Sequence, residues 1–287
     1  QEIFGFLGPN GAGKTTTLRM LTTLLPIDGG EAFVAGFNVK TQAQEVRKRI
    51  GYVSQQGGAD RTTTGRENLM LQGRLYGMTS AATTRAAKQL IELFLLGDCI
   101  DRLVATYSGG QRRRLDIALG MMHKPEILFL DEPTTGLDPQ NRAKLWSQIQ
   151  ALKAAGVAVF LTSHYLDEVD FLADRLAIMD QGKIVAIGSP RALKRQISGD
   201  IITLGIHPER HERAIHMLQK QDFVKEVSQD NQHIRLAVEH GEAALPLLLR
   251  LLDVEKITLT TLALSTPTLN DVFLKKTGHA LREATNP

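Results

Sequence analysis

The apolar run Ile-Phe-Gly-Phe-Leu at residues 3–7 leads directly into Gly8-Pro9-Asn10-Gly11-Ala12-Gly13-Lys14-Thr15-Thr16. No other junction constrains the fold as strongly. Its spacing is G-x-x-x-x-G-K-[ST], with Gly8 and Gly13 framing the loop and Lys14-Thr15 closing it. Glycines let successive backbone N–H groups turn inward on a phosphate chain. A helix beginning at Lys14 adds the positive end of its dipole. Lys14 is then placed to reach β- and γ-phosphates, and the Thr15 hydroxyl to hold Mg²⁺. A chance Gly-rich turn would not carry Lys-Thr in register between a strand and a helix.

A second piece, Ile127 to Pro133 (ILFLDEP), reads as a buried strand that delivers Asp131 and Glu132 to its carboxyl end, where α/β sheets place their ligands. In that setting Asp131 orients a Mg²⁺ shell and Glu132 polarises an attacking water as general base. Alone, an acidic pair after a strand is more often a helix-capping turn; downstream of a phosphate loop the chemical reading prevails. These two pieces specify an Mg-nucleotide hydrolase or transferase and nothing finer. A third, Tyr107 to Leu115 (YSGGQRRRL), opens a helix one element before the acidic strand. Ser108 can cap that helix while Gly109 and Gly110 leave N–H groups open to an anion, and a capped helix with no further role fits equally well. The run Arg112–Arg114 reads as a solvated helix face.

With these pieces in this order, the chain resembles the ATP-binding cassette (ABC) family over nearly all of residues 1–190. The family signature is LSGGQ; here Tyr107 replaces the leucine, a variant similar to a drug-exporter branch. The resemblance implies that Ser108, Gly109, Gly110 and Gln111 contact the γ-phosphate held by a partner cassette, so that two copies sandwich two ATP molecules. It assigns to Gln55, which directly follows the strand in IGYVSQ, the glutamine that senses Mg²⁺ and the attacking water. Gln56 is a second candidate, and either glutamine alone would be read as a solvated loop residue. Asp138 in TGLDP falls where the family has its cross-dimer loop. His164, closing LTSH, matches the switch histidine at the γ-phosphate, although a histidine after a strand is more often structural. The implied set is therefore Glu132, His164 and Gln55 for catalysis and Thr15, Gln55 and Asp131 for Mg²⁺. The family carries an upstream strand and an adenine-stacking aromatic residue. Only seven residues precede Gly8, so the expectation is an N-terminally truncated chain with an incomplete N-terminal β-subdomain.

Periodicity predicts a helix from Lys14 to Leu25, short strands at EAFVAG and RIGYVS, and a helical subdomain over about 57–107. Two strand–helix units then follow, and RLAIMDQGKIVAIG reads as a hairpin turning at Gln181-Gly182. The predicted architecture is an α/β P-loop NTPase cassette with a parallel sheet core over residues 1–197. A small α+β domain over 198–287 follows, its β-α-β-β-α-β order suggesting a ferredoxin-like sandwich with the turn QDNQ at its middle hairpin. A final helix is expected to start at Thr266-Pro267, with threonine as cap and proline at the first helical position. That tail, TPTLNDVFLKKTG, resembles the end of daunorubicin/doxorubicin-resistance-type exporter ATPases. A capped amphipathic helix with Leu269, Val272 and Phe273 inward explains it equally well.

Composition narrows the function classes. Hydrophobic residues at 43% and charged residues at 23% support an ordered core. A formal charge of +3 without an aromatic-studded basic tract gives no reason to expect nucleic acid. The single cysteine, Cys99, excludes an internal disulfide framework and fits a reducing compartment. No stretch approaches the roughly 20 apolar residues that cross a bilayer. The expected function is thus the ATP-hydrolysing subunit of a two-component exporter, using ATP and Mg²⁺. Its partners would be an integral membrane permease and a second ATP-binding subunit, as a homodimer, at the cytoplasmic face of a bacterial or archaeal membrane. The alternatives are a soluble cassette ATPase of translation or DNA repair, which usually carries two cassettes or a long coiled coil, and a nucleotide-dependent binding module. A GTPase is disfavoured because no Asn-Lys-x-Asp motif occurs.

Overall fold

Strands that are apolar along their whole length must be covered on both faces, and here they pair in parallel with helices between them. The computed structural model describes residues 1–196, 199–230 and 233–277. They fold as one compact unit over Gln1–Ser189 and a second beginning at Pro190. Ile197 and Ser198, where the sequence reading places the domain boundary, lie outside the described residues, as do Asn231 and Gln232 of the expected turn and Gly278 of the tail motif.

The first unit runs β1 (Ile3–Leu7), α1 (Lys14–Leu21), β2 (Phe33–Val34), β3 (Phe37–Asn38), α2 (Ala43–Arg49) and β4 (Ile50–Val53). Three helices follow, α3 (Gly65–Leu75), α4 (Ser80–Leu93) and α5 (Gly109–Met121). The unit closes with β5 (Ile127–Asp131), α6 (Pro139–Ala154), β6 (Ala158–Ser163), α7 (Leu166–Leu172), β7 (Arg175–Asp180) and β8 (Lys183–Gly188). The main sheet has the order β4-β5-β6-β1-β7-β8. Its first five strands are parallel and β8 is an antiparallel edge. Register aligns Leu7 with Ser163, Asp131 with Thr162 and Val53 with Leu130. The segments that leave β1, β4, β5 and β6 at their carboxyl ends are therefore neighbours.

Two elements differ from the sequence expectation. The helix after the glycine loop ends at Leu21 rather than Leu25. Thr22 donates its hydroxyl to Leu18 O at 2.9 Å, Thr23 takes a φ of +64°, and Pro26 disfavours helix at Leu25. The EAFVAG segment is not one strand but the start of a two-stranded ribbon, because Ala35 and Gly36 adopt φ of +50° and +81° and reverse the chain. The hairpin at Gln181-Gly182 turns the same way, with φ of +46° and +77°.

Helix α5 is seated on the sheet by two glycines. A Cβ on Gly51 would lie 2.3 Å from the Gly120 carbonyl oxygen, and one on Gly120 would lie 2.9 Å from Val53 Cγ2. This close approach sets the height of the helix that begins at Gly109.

The second unit comprises α8 (Pro190–Arg195), β9 (Asp200–Ile206), α9 (His211–Leu218), β10 (Val224–Asp230), β11 (His233–Val238), α10 (Gly241–Val254), β12 (Leu259–Ser265) and α11 (Leu269–Thr277). Its antiparallel sheet has the order β10-β11-β9-β12, the split β-α-β arrangement. Ile202, Leu204, Leu236, Leu248 and Leu252 form its core. The last helix starts two residues later than expected. Thr268, not Thr266, is its cap, exchanging bonds with Asp271, whose N–H reaches Thr268 Oγ1 at 3.3 Å while its carboxylate accepts from Thr268 N at 2.8 Å. A Thr-x-x-Asp pair satisfies two terminal donors, which Thr266 with Pro267 cannot do. Leu269, Val272 and Phe273 do point inward.

Gly51→Ala should therefore lower stability by about 1–3 kcal/mol through overpacking, read as a reduced midpoint in urea unfolding. An unchanged midpoint would show that the helix can lift freely from β4.

Candidate functional site

Gly13 caps α1 at φ +99°, a conformation that favours glycine, and starts the helix with its first N–H groups facing the loop. The loop is packed from behind by the β7–β8 hairpin. Gly182 N–H donates to Ala12 O at 3.0 Å, and a Cβ on Gly8 would meet Met179 O at 2.4 Å. Lys14, only 4% exposed, donates to Gly8 O at 2.7 Å and Pro9 O at 3.0 Å. Its ammonium also lies 3.6 Å from Glu132 Oε1. Burial pushes the Lys14 pKa down, against the opposing pull of Glu132 and Asp131.

The β5 strand ends on Asp131, whose Oδ1 accepts from Thr162 Oγ1 at 2.7 Å and from Thr15 Oγ1 at 2.9 Å. Glu132 follows in a left-handed conformation, φ +43°, and its N–H donates to Thr162 O at 3.2 Å and Thr162 Oγ1 at 3.0 Å. Glu132 Oε2 accepts from Gln55 Nε2 at 3.1 Å and Thr135 Oγ1 at 3.2 Å, and His164 Nδ1 stands 3.1 Å away. Burial raises the Glu132 pKa, but His164, Lys14 and Thr135 outweigh it and hold the carboxyl below its ordinary range. The two glutamine candidates thus separate: both are exposed, and Gln55 reaches Glu132.

Lys14, Thr15, Gln55, Glu132, Thr135 and His164 line a cleft of about 700 Å³, within the range of small-molecule sites, while Asp131 and Thr162 are buried outside its lining. Asn10, Gly11, Gly13 and Thr16 contribute to it from the loop, and Asp138 from the far side. Gly8, Pro9 and Ala12 are behind this lining, Gly8 and Pro9 supplying the carbonyls that hold Lys14. Asp138 is the N-cap of α6, accepting from Asn141 N at 3.0 Å.

Ser108, Gly109, Gly110 and Gln111 are not among the lining residues. They form the start of α5, with Ser108 Oγ accepting from Gln111 N at 3.2 Å and Gln111 Oε1 from Ser108 N at 3.0 Å. Ser108 and Gly109 are exposed, so this helix end opens outward. Tyr107 anchors it, donating from its buried hydroxyl to Cys99 O at 2.6 Å. Sequence reasoning missed Thr162 and Thr135, which hold the two acidic side chains. It also misread Arg113, which is 7% exposed and buried rather than solvated, because α5 packs on more than one face.

Comparison with known proteins identifies the relatives of this chain. The ABC transporter family model matches residues 1–135, and that of the DrrA1-3-like ATP-binding protein C-terminal domain matches residues 188–277. The daunorubicin resistance ATP-binding protein DrrA2 of Streptomyces coeruleorubidus is 43% identical over 280 residues, covering 96% of this chain and 87% of that protein. The linearmycin resistance ATP-binding protein LnrL of Bacillus subtilis is 36% identical, covering 98% and 91%. The Nod factor export ATP-binding protein I of Sinorhizobium fredii is 37% identical, covering 98% and 80%. A solved ATP-binding subunit of an ABC transporter superposes with a TM-score of 0.61 at 26% identity, over 68% of this chain and 81% of that one.

Because the folded pKa of Glu132 lies below its ordinary value of 4.5, its ionised form stabilises the fold above that value. The contribution is lost as pH falls through the lowered folded value. The stability difference between wild type and Glu132→Gln in urea titrations should therefore hold from neutral pH down to the ordinary value of 4.5 and shrink as the pH falls further. A difference that grows on acidification would contradict an ionised, stabilised Glu132.

Proposed function

This chain belongs to the ABC transporter family of ATP-binding subunits, and we propose that it powers export of a drug-like or hydrophobic compound through a separate membrane permease. One observation carries the hydrolytic part of this reading: Lys14, Thr15, Gln55, Glu132 and His164 line one cleft, and Asp131, buried beside it, bonds Thr15. The substrate class follows from the relatives, whose names refer to daunorubicin and linearmycin resistance and to Nod factor export. Among the described residues no helix is long and apolar enough to cross a membrane.

The N–H groups of the glycine loop and the start of α1 receive the phosphate chain, and Lys14 neutralises its β- and γ-oxygens. The hydroxyl of Thr15, the carboxylate of Asp131 and the amide oxygen of Gln55 are hard oxygen donors, a set that suits Mg²⁺. Thr15 and Asp131 already stand 2.9 Å apart. When bound, Mg²⁺ supplies positive charge against the oxygens of the phosphates. Glu132 acts on the water: its lowered pKa keeps it ionised at neutral pH, so it can accept the proton as the water attacks the γ-phosphorus and the bond to the β,γ-bridging oxygen breaks, releasing ADP and phosphate. His164, beside the same carboxylate, is placed to donate to the γ-phosphate, and Gln55 orients the water together with Glu132.

The outward-facing start of α5 supports a composite site. Ser108 and Gly109 are exposed and lie outside the lining of their own cleft, which supports a second copy supplying Ser108, Gly109, Gly110 and Gln111 across a dimer, with Asp138 at the seam. ATP then closes the two copies and hydrolysis reopens them, at the cytoplasmic face of the membrane.

Glu132→Gln should retain ATP binding, lose turnover by about 10²–10⁴-fold and accumulate as an ATP-bound dimer in light scattering. Wild-type turnover by that variant would remove Glu132 as the base.

A further inference from the structure

Arg113 is a buried charge that the hydrolytic scheme above does not use. Its guanidinium donates through Nη1 to Ser54 O at 2.6 Å, through Nη2 to Asp131 O at 2.9 Å and through Nε to Pro133 O at 2.8 Å. All three partners are main-chain carbonyls; burial pushes the Arg113 pKa down, and the nearby carboxyl groups of Asp116, Glu168 and Asp131 oppose that push. The positions of those carbonyls matter. Ser54 C=O belongs to the peptide group that leads into Gln55, and Asp131 C=O to the one that leads into Glu132. Pro133 C=O lies on the other side of Glu132. One planar group therefore holds the backbone before Gln55 and on both sides of Glu132. A guanidinium fixes its donors in one rigid fork, so the three acceptors are fixed relative to one another.

The grip falls where the chain most needs it. Glu132 has φ +43°, a conformation that a residue with a side chain keeps only when its surroundings impose it. Thr162 restrains the Glu132 N–H, and Arg113 restrains the carbonyls on either side. Arg113 also lies within the second turn of α5, five residues after the Ser108 cap.

We propose that Arg113 is a positioning residue that locks Gln55 and Glu132 to the signature helix, so that a displacement of Ser108–Gln111 reaches both water-handling side chains together. This rests on Glu132 being the base. Arg113 is not part of the cleft lining; it acts through the backbone of Gln55 and Glu132, which are.

The test uses the full chain with Arg113→Lys, which keeps the charge and loses the fork. Three quantities are measured: ATP turnover against Mg-ATP concentration, affinity for a fluorescent ATP analogue, and amide hydrogen exchange. The expected result is a fall in kcat of about tenfold or more, with analogue affinity within about threefold of wild type. Exchange should quicken at residues 54–56 and 131–134, while α1 and the glycine loop stay protected. Wild-type kcat in a folded variant would overturn the proposal. So would a matched loss of kcat and affinity with faster exchange throughout the sheet, since that is a packing role alone. If the lysine variant fails to fold, Arg113→Gln, which is neutral and keeps a donor amide, is measured against the same criteria. Glu132→Gln run in parallel separates the two ideas: wild-type turnover there removes the base itself. An inactive Glu132→Gln beside a fully active Arg113→Lys removes only the positioning role.

Discussion

The pairing of β5 with β6 is the constraint on which the cleft depends. Because Asp131 stands opposite Thr162, one threonine side chain serves both acidic residues, donating to Asp131 Oδ1 and accepting from the Glu132 N–H. Side chains alternate faces along a strand, so a slip of one residue would turn Asp131 away from Thr15 and remove Glu132 from Lys14 and His164. Burial on both faces of the parallel sheet fixes that register, since Leu128, Phe129, Leu130, Val159 and Leu161 are all buried. The hydrophobic core thus sets the chemistry at the ends of its strands.

The same geometry explains how opposite charges coexist in a confined space. Lys14 is almost fully buried and Glu132 is 8% exposed, an arrangement that would be costly for either alone. Each is supported by the other and by uncharged partners: carbonyls for the ammonium, and amide and hydroxyl donors for the carboxylate. Such a cleft is electrostatically prepared, with its dipoles fixed by the strands and loops that carry them.

Much of this was legible from residue order, and the reasons differ by feature. The glycine loop and the acidic strand could be read because their chemistry depends on spacing along one segment, and the structure brings them together through Thr15 and Asp131. The place of Gln55 directly after the strand favours it over Gln56 from pattern alone, but its bond to Glu132 depends on where the chain points after β4. Thr162 was invisible as an Asp131 partner, since inter-strand register is not written in either strand alone. Arg113 was misread because three consecutive arginines look solvated when only their own helix is considered. The carbonyls that bury it come from segments about 20 and 59 positions away in sequence. Helix ends were likewise decided by local competition: Thr22 and Thr23 stop α1, and Thr268 takes the cap from Thr266 because only it has an aspartate three residues on.

The turn at Gln181-Gly182 has a practical consequence for anyone wishing to tag or split this protein. A tight surface hairpin is ordinarily a tolerant place for an insertion. Here its glycine bonds Ala12 and its strand packs Met179 against Gly8 and Gly13, so a graft at that tip would disturb the nucleotide loop from behind. Gly97, between α4 and α5, is the contrasting position: it is exposed, its φ is not positive, a Cβ there meets nothing within 4 Å, and it is absent from the cleft lining, which makes it the better attachment point for a reporter.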